Sequence, residues 1–259
     1  MARSTWDSER EAAITAAKQG GDVLAQWAGR FTTKTKGRND LVTEADVAVQ
    51  ERVSETLLRK FPGDDFLGEE GHSDESKLKG SRRWIVDPID GTTNFIHAFP
   101  FYCISIALEV DGELVVGVIY DPNRKECFSA AKGQGATCNS SRLQVSSSAR
   151  LADSLINIGL PADTDAYPES MQAFVRVSGK SRSIRRLGSA ALGVAYVAAG
   201  RLDGFVSHII QPWDIAAGVL LVREAGGRVT NLRSSQYNLY TRNILVTNGL
   251  IHEELEREC

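Results

Sequence analysis

Apolar positions recur at helical spacing near the start of the chain and switch to alternating or continuous runs from residue 82. In residues 7–28, Ile14, Ala17, Val23, Leu24 and Trp27 supply one face of an expected first helix. In residues 43–60, Val49, Val53 and Leu57, followed by Phe61, recur every four positions, and Pro62-Gly63 ends the second helix. Between the two, residues 32–39 (TTKTKGRN) are polar, basic and free of apolar side chains, which predicts a mobile surface loop. Residues 82–86, 103–110, 114–120 and 126–131 read as strands, with Asp111-Gly112 as a hairpin turn. After Ser146-Ser147-Ser148 the pattern alternates. Strands are expected at 155–159, 183–186, 204–207 and 244–247, and helices at 188–199 and 212–225, with Gly200 and Gly226 just past the helix ends. The change of pattern predicts an α+β unit over residues 1–147 and an α/β unit over 148–259, with a ligand cleft between them.

Composition narrows the class. A chain of 259 residues can bury nearly three-quarters of its surface, and 42% apolar with 24% charged residues excludes wholesale disorder. Thirty-three acids against thirty bases leave a net charge of −3, which argues against nucleic acid or an anionic membrane as the main partner. No apolar run is long enough to span a membrane, and the first ten residues contain no apolar signal segment. The four cysteines, Cys103, Cys127, Cys138 and Cys259, are scattered without a C-x-x-C pair, as expected of free thiols in a cytoplasmic protein.

The chemistry concentrates in Trp84-Ile85-Val86-Asp87-Pro88-Ile89-Asp90-Gly91-Thr92-Thr93-Asn94-Phe95. An apolar strand ends at Asp87, Pro88 interrupts its ladder, and Gly91 permits a tight turn, so Asp90 returns close to Asp87. Two carboxylates held that near one another repel unless a cation lies between them. Gly91-Thr92-Thr93 offers backbone N–H groups at an expected helix start, which suits an anion. A cation site and an anion site within six residues imply a metal-bound phosphate. Three more acidic clusters fit this picture: Leu67-Gly68-Glu69-Glu70-Gly71, Asp40-Leu41-Val42-Thr43-Glu44-Ala45-Asp46, and Pro212-Trp213-Asp214 at the head of an apolar helix. Each alone reads as an exposed turn or a helix-dipole partner.

Together, residues 87–95, the Glu69-Glu70 loop, residues 43–46 and residues 213–218 resemble the signature motifs of the inositol monophosphatase family, in order and spacing, over nearly the whole chain. The resemblance implies a layered α-β-α-β-α sandwich, magnesium-dependent phosphomonoester hydrolysis, lithium sensitivity in many members, and a homodimer. By the same resemblance, Glu69, Asp87 and the Ile89 carbonyl hold one magnesium, and Asp87, Asp90 and Asp214 a second. A third, looser ion sits near Glu69 in some members. Thr92 and Asp46 match the water-activating pair, and the Gly91 and Thr92 N–H groups match the phosphate contacts. Gly188, Ser189 and Ala190, with Asp214, match the contacts to the substrate's alcohol portion. The donor set is independently suited to magnesium, which prefers oxygen ligands. None of the four histidines is needed for this chemistry; His97 and His208 read as packing or surface groups.

One departure bears on the substrate. Animal members carry a glutamate seven residues before the Trp-Asp motif, where this chain has Ser207, followed by His208. The expected substrates are therefore inositol 1-phosphate and related small phosphomonoesters. Histidinol phosphate, NADP and fructose bisphosphate are the alternatives, as in bacterial branches of the family. A non-catalytic regulatory protein on the same fold is the main rival. A carboxylate-pair glycosidase gives no reason for Gly91-Thr92-Thr93.

Overall fold

Alanine and glycine, rather than the larger apolar residues, form the buried face of α1 (Asp7–Trp27): Ala12, Ala13, Ala16, Ala17, Gly20, Gly21 and Leu24. Ile14, Val23 and Trp27, expected on that face, only pack against its margin. The cause is close approach. A Cβ on Gly20 would lie 2.8 Å from the Ile104 side chain, and one on Gly21 would lie 2.6 Å from the Tyr120 ring. The structure, a computed structural model, describes residues 6–30, 43–70, 80–160 and 167–259, with the backbone alone for 33–37 and 40–42.

Helix α2 (Glu44–Lys60) starts at the Thr43 cap and buries Val49, Val53 and Leu57 as the four-residue spacing predicts. Helices α1 and α2 cover one face of a seven-stranded sheet and share a core with Trp84, Val86, Ile104, Ile106 and Val118. Strands β1 (Thr33–Gly37) and β2 (Asp40–Thr43) form an antiparallel hairpin where a loop is expected, which corrects that expectation. Alternating threonine and lysine suit an extended strand as well as a loop, and with no apolar signal the two look alike in sequence. Thr32, Arg38 and Asn39 lie outside the described residues.

The large sheet runs in chain order through β3 (Asp65–Gly68), β4 (Arg82–Asp90), β5 (Cys103–Val110), β6 (Glu113–Asp121), β7 (Glu126–Ala131), β8 (Ala136–Cys138) and β9 (Ser141–Arg142). The β5–β6 turn takes positive φ at Asp111 (51°) and Gly112 (78°), as a tight hairpin requires. A short helix α3 (Thr92–Ile96) follows β4. The second sheet is built from β10 (Leu155–Gly159), β11 (Ser183–Arg185), β12 (Gly204–Ser207), β13 (Arg228–Thr230) and β14 (Ile244–Thr247), in the order β11-β10-β12-β14-β13. Its outer face packs against α4 (Tyr167–Lys180) and α7 (His252–Glu256), through Val177 and Leu255. Helices α5 (Ala190–Ala198) and α6 (Pro212–Glu224) are apolar nearly all round because both sheets cover them. The expected α-β-α-β-α layering is therefore present. The largest core cluster joins Leu67, Ile85 and Phe128 of the first half to Leu192, Phe205 and Val246 of the second. No described helix is long and apolar enough to cross a membrane.

Candidate active site

Strand β4 carries the expected interruption in its ladder. Asp87 pairs with Ser105 and Asp90 with Cys103, so three steps on β4 oppose two on β5. That extra residue puts two positions, which in a regular strand would face opposite ways, on one side of the sheet. Asp214 reaches the same point from the first turn of α6, where its Oδ2 accepts the Gln211 N–H at 3.0 Å. Asp87, Asp90 and Asp214 each bring a carboxylate oxygen to within 4.8 Å of the others. Burial, and then the charge of Glu69, hold the Asp87 carboxyl well above the ordinary carboxylate range, with Asp90 and Asp214 adding to the effect. Burial and the Asp90 charge push Asp214 up to about 7. Buried acids this close do not all ionise without a compensating cation.

Asp90 is held by the start of α5. Its carboxylate accepts the Ser189 hydroxyl and the N–H groups of Ala190 (3.1 Å) and Ala191 (2.6 Å). Burial raises its proton affinity, and these bonds oppose the rise. Ser189 also caps α5 by accepting the Leu192 N–H at 3.3 Å. Gly91 takes φ 102°, and a Cβ there would stand 3.1 Å from the Phe101 carbonyl and 3.2 Å from that of Gly188. Gly91 can come this close because it carries no side chain. Asn94 fixes the junction by donating from Nδ2 to the carbonyls of Phe101 (2.7 Å) and Leu187 (2.9 Å).

The Thr92 hydroxyl lies 3.2 Å from Asp46 Oδ1 and 3.0 Å from the Ile89 carbonyl. The other Asp46 oxygen accepts both the N–H and the hydroxyl of Thr43, at 2.7 Å each, which closes the capping box of α2. Burial raises the Asp46 carboxyl despite those bonds. The Glu69-Glu70 segment is not a free acidic turn. Gln50 clamps it, accepting the Glu70 N–H at 2.9 Å and donating to the Glu70 carbonyl at 2.6 Å.

The expected site residues thus lie in one connected arrangement, from Asp46 and Thr92 through Ile89, Asp87 and Glu69 to Asp90, Asp214 and the segment Gly188, Ser189 and Ala190. A cleft of about 350 Å³ opens beside Asp90 and Asp214, lined also by Arg186, Ser189 and Ser207. Ser207 faces it, but its hydroxyl donates to the Ile209 carbonyl at 2.7 Å. His97 is exposed, and His208 turns towards the C-terminal carbonyl. Sequence reasoning missed Gln50, Asn94, Cys103 and Ser105, whose hydroxyl donates to the Trp213 carbonyl at 3.2 Å. Gln50 lies four residues after Asp46 on the apolar face of α2, a spacing that could have flagged it. Cys103 is buried with its Sγ 3.8 Å from Asp90 Oδ2.

A family model described as the inositol monophosphatase family matches residues 5–258. The chain is 41% identical to a fructose-1,6-bisphosphatase/inositol-1-monophosphatase of Thermotoga maritima, over 92% of this chain and 90% of that one. It is 38% identical to the Nus factor SuhB of Escherichia coli, over 91% and 90%. The solved inositol monophosphatase of Anabaena superposes with a TM-score of 0.88 at 39% identity, covering 97% of this chain and 95% of that one. With matches of that extent across both sheets and every acidic motif, the chain belongs to the inositol monophosphatase family and is a phosphoric monoester hydrolase.

Proposed function

We propose that the protein is a magnesium-dependent phosphatase of inositol 1-phosphate and related small phosphomonoesters. The observation that carries this reading is the trio of buried Asp87 and Asp90 with half-buried Asp214, whose proton affinities are all raised, beside the Thr92–Asp46 pair. The trio offers only oxygen donors at a point of concentrated negative charge, which fits magnesium. In this reading Glu69, Asp87 and the Ile89 carbonyl hold one ion, Asp87, Asp90 and Asp214 a second, and a third sits loosely by Glu69. Held by these residues, magnesium would supply positive charge for the phosphoryl oxygens and would make a neighbouring water more acidic.

The protein's own groups supply the rest. The single Thr92 proton satisfies either Asp46 or the Ile89 carbonyl at one time. Donated to Asp46, it leaves the Thr92 lone pairs to orient a water in line with phosphorus and take its proton. Asp46 is suited to receive that proton because burial has already raised its affinity. The Gly91 and Thr92 N–H groups hold the phosphate, and Gly188, Ser189 and Ala190 border the alcohol. With Ser207 bonded to Ile209, no carboxylate stands at that position to grip ring hydroxyls, so we expect several alcohols to be accepted. A sugar bisphosphate is the second reading, favoured by Arg186 in the cleft and by the name of the Thermotoga maritima relative. The family resemblance also supports a cytoplasmic homodimer, which light scattering checks.

The test is phosphate release from inositol 1-phosphate, glycerol 2-phosphate, histidinol phosphate, NADP and fructose bisphosphate, with magnesium and with chelator. Release in magnesium from the first two is expected. Silence across the panel overturns the reading in favour of a regulatory role, and full activity in chelator overturns the mechanism.

A further inference from the structure

Asn157 sits in the middle of β10, opposite Phe205 of β12 and Arg185 of β11. It is 2% exposed, and its Oδ1 has no hydrogen-bond partner. An unbonded amide at that depth is unfavourable, since an apolar side chain of similar size carries no desolvation penalty. The neighbouring helix nevertheless makes room for it. A Cβ on Gly193 would lie 2.3 Å from Asn157 Nδ2 and 3.3 Å from the Phe205 ring, so any other residue at 193 would drive the amide out. Gly193 donates its N–H to the Ser189 carbonyl at 3.2 Å, which places it one helical turn, about 5.4 Å, into α5 from Ser189. Ser189 in turn bonds Asp90. Asn157 lines the same cleft as Asp90, Ser189 and Asp214. Ser207, its polar neighbour across the strand pair, already gives its hydroxyl to Ile209.

We propose that Asn157 is a specificity-determining residue whose amide binds a hydroxyl group on the alcohol half of the substrate. The proposal rests on the phosphomonoesterase reading above and adds the residue that would favour phosphate esters of polyols over those of plain alcohols. A hydroxyl suits the position because it both donates and accepts, so it can bond the amide in either orientation. The distance also fits, since one helical turn separates Gly193 from the residue that holds Asp90.

The experiment compares kcat/KM in magnesium for inositol 1-phosphate and for n-propyl phosphate, whose alcohol has no further hydroxyl. In Asn157→Leu, which keeps the branch at Cγ but removes both polar atoms, the ratio of the two should fall at least about fivefold, through KM for the inositol ester, as loss of one buried hydrogen bond predicts. Gly193→Ala, which displaces the amide without removing it, should lower the ratio in the same direction. The melting temperature of cation-free Asn157→Leu should equal or exceed that of the parent, because an unbonded polar group is gone. A ratio that falls less than fivefold overturns the proposal. If neither variant folds, Asn157→Ser with mono-deoxy inositol 1-phosphates decides it: the deoxy position that costs the parent at least fivefold should cost the variant less, and equal costs in the two overturn the proposal. Failure of the parent to release phosphate from either ester would instead overturn the phosphatase reading, a result distinct from turnover of both esters with an unchanged ratio.

Discussion

Asp90 and Asp214 stand in one cluster yet should respond oppositely to loss of charge. Asp90 accepts a hydroxyl and two backbone N–H groups, so in Asp90→Asn one amide hydrogen pair must face donors that cannot accept it. Among the described residues Asp214 accepts the Gln211 N–H and hydrogen-bonds Asp87, so an asparagine there can donate to Asp87 and keep its oxygen on Gln211. Both variants should lose magnesium-dependent turnover by about two orders of magnitude or more, as removal of a charge-stabilising group does. Without cations, Asp214→Asn should melt above the parent and Asp90→Asn below it. Identical shifts in differential scanning calorimetry would contradict this account of the two sites.

His252 gives a second residue-scale test. It is fully buried between the hydroxyls of Thr230 (3.0 Å) and Thr247 (2.9 Å). Burial lowers its pKa to about 4. The unfolded chain takes up this proton below about 6.5 and the folded chain does not. Stability contributed by the neutral ring is therefore complete above that pH and falls as pH drops towards about 4, by about 3 kcal/mol in all. Denaturant melts from neutral pH down to about 4.5 should fall more steeply for the parent than for His252→Gln. Parallel curves would show that the ring titrates normally in the fold.

At the scale of elements, legibility depended on whether a pattern had one meaning. The period of Val49, Val53 and Leu57, and the stop at Pro62-Gly63, allow only a helix, and α2 follows them. Helix α4 went unread because Ser170, Ala173 and Val177 make a buried stripe too weakly apolar to stand out. The acidic motifs were readable because their chemistry is local: Asp87, Pro88, Asp90 and Gly91 build their own bulge and turn. Asn157 and Gly193 were not, because an amide in a strand and a glycine in a helix acquire meaning only when the two elements pack. Gly117 of β6 is a similar case. A Cβ there would lie 2.6 Å from the Ala217 carbonyl oxygen and 3.1 Å from its Cα, both backbone atoms of α6. Gly117→Ala must push α6 off the sheet, at a cost of about 1–3 kcal/mol. Asp214 lies one turn earlier on the same helix, so the variant should also need more magnesium for half-maximal activity. Melts and a magnesium titration check both effects, and a normal midpoint in a destabilised protein would separate α6 packing from the cation site.

At the scale of the whole molecule, the carboxylate cluster joins layers. Asp87 and Asp90 end a strand of the large sheet, and Asp214 begins a helix of the middle layer. Asp90 is also tied to α5, which packs beneath the second sheet. Cation binding should therefore stabilise the fold as a unit rather than one loop. For a ligand at about a hundred times its dissociation constant, linkage gives about 2.7 kcal/mol, or about 5–11 °C for a chain of this size. The effect should depend on pH in a definite direction. Without cations, the folded Asp214 holds its proton up to about 7 whereas an unfolded one releases it near 3.8, so this group's contribution to stability declines as pH rises through that interval. Magnesium must displace that proton at low pH but finds the carboxylate ionised at high pH. The magnesium-induced rise in melting temperature should therefore be larger at about pH 8 than at about pH 5.5, and smaller in Asp214→Asn, with less difference between the two pH values. A shift that is equal at the two pH values in the parent, or that is undiminished in Asp214→Asn, would place the stabilising cation somewhere other than among these three carboxylates.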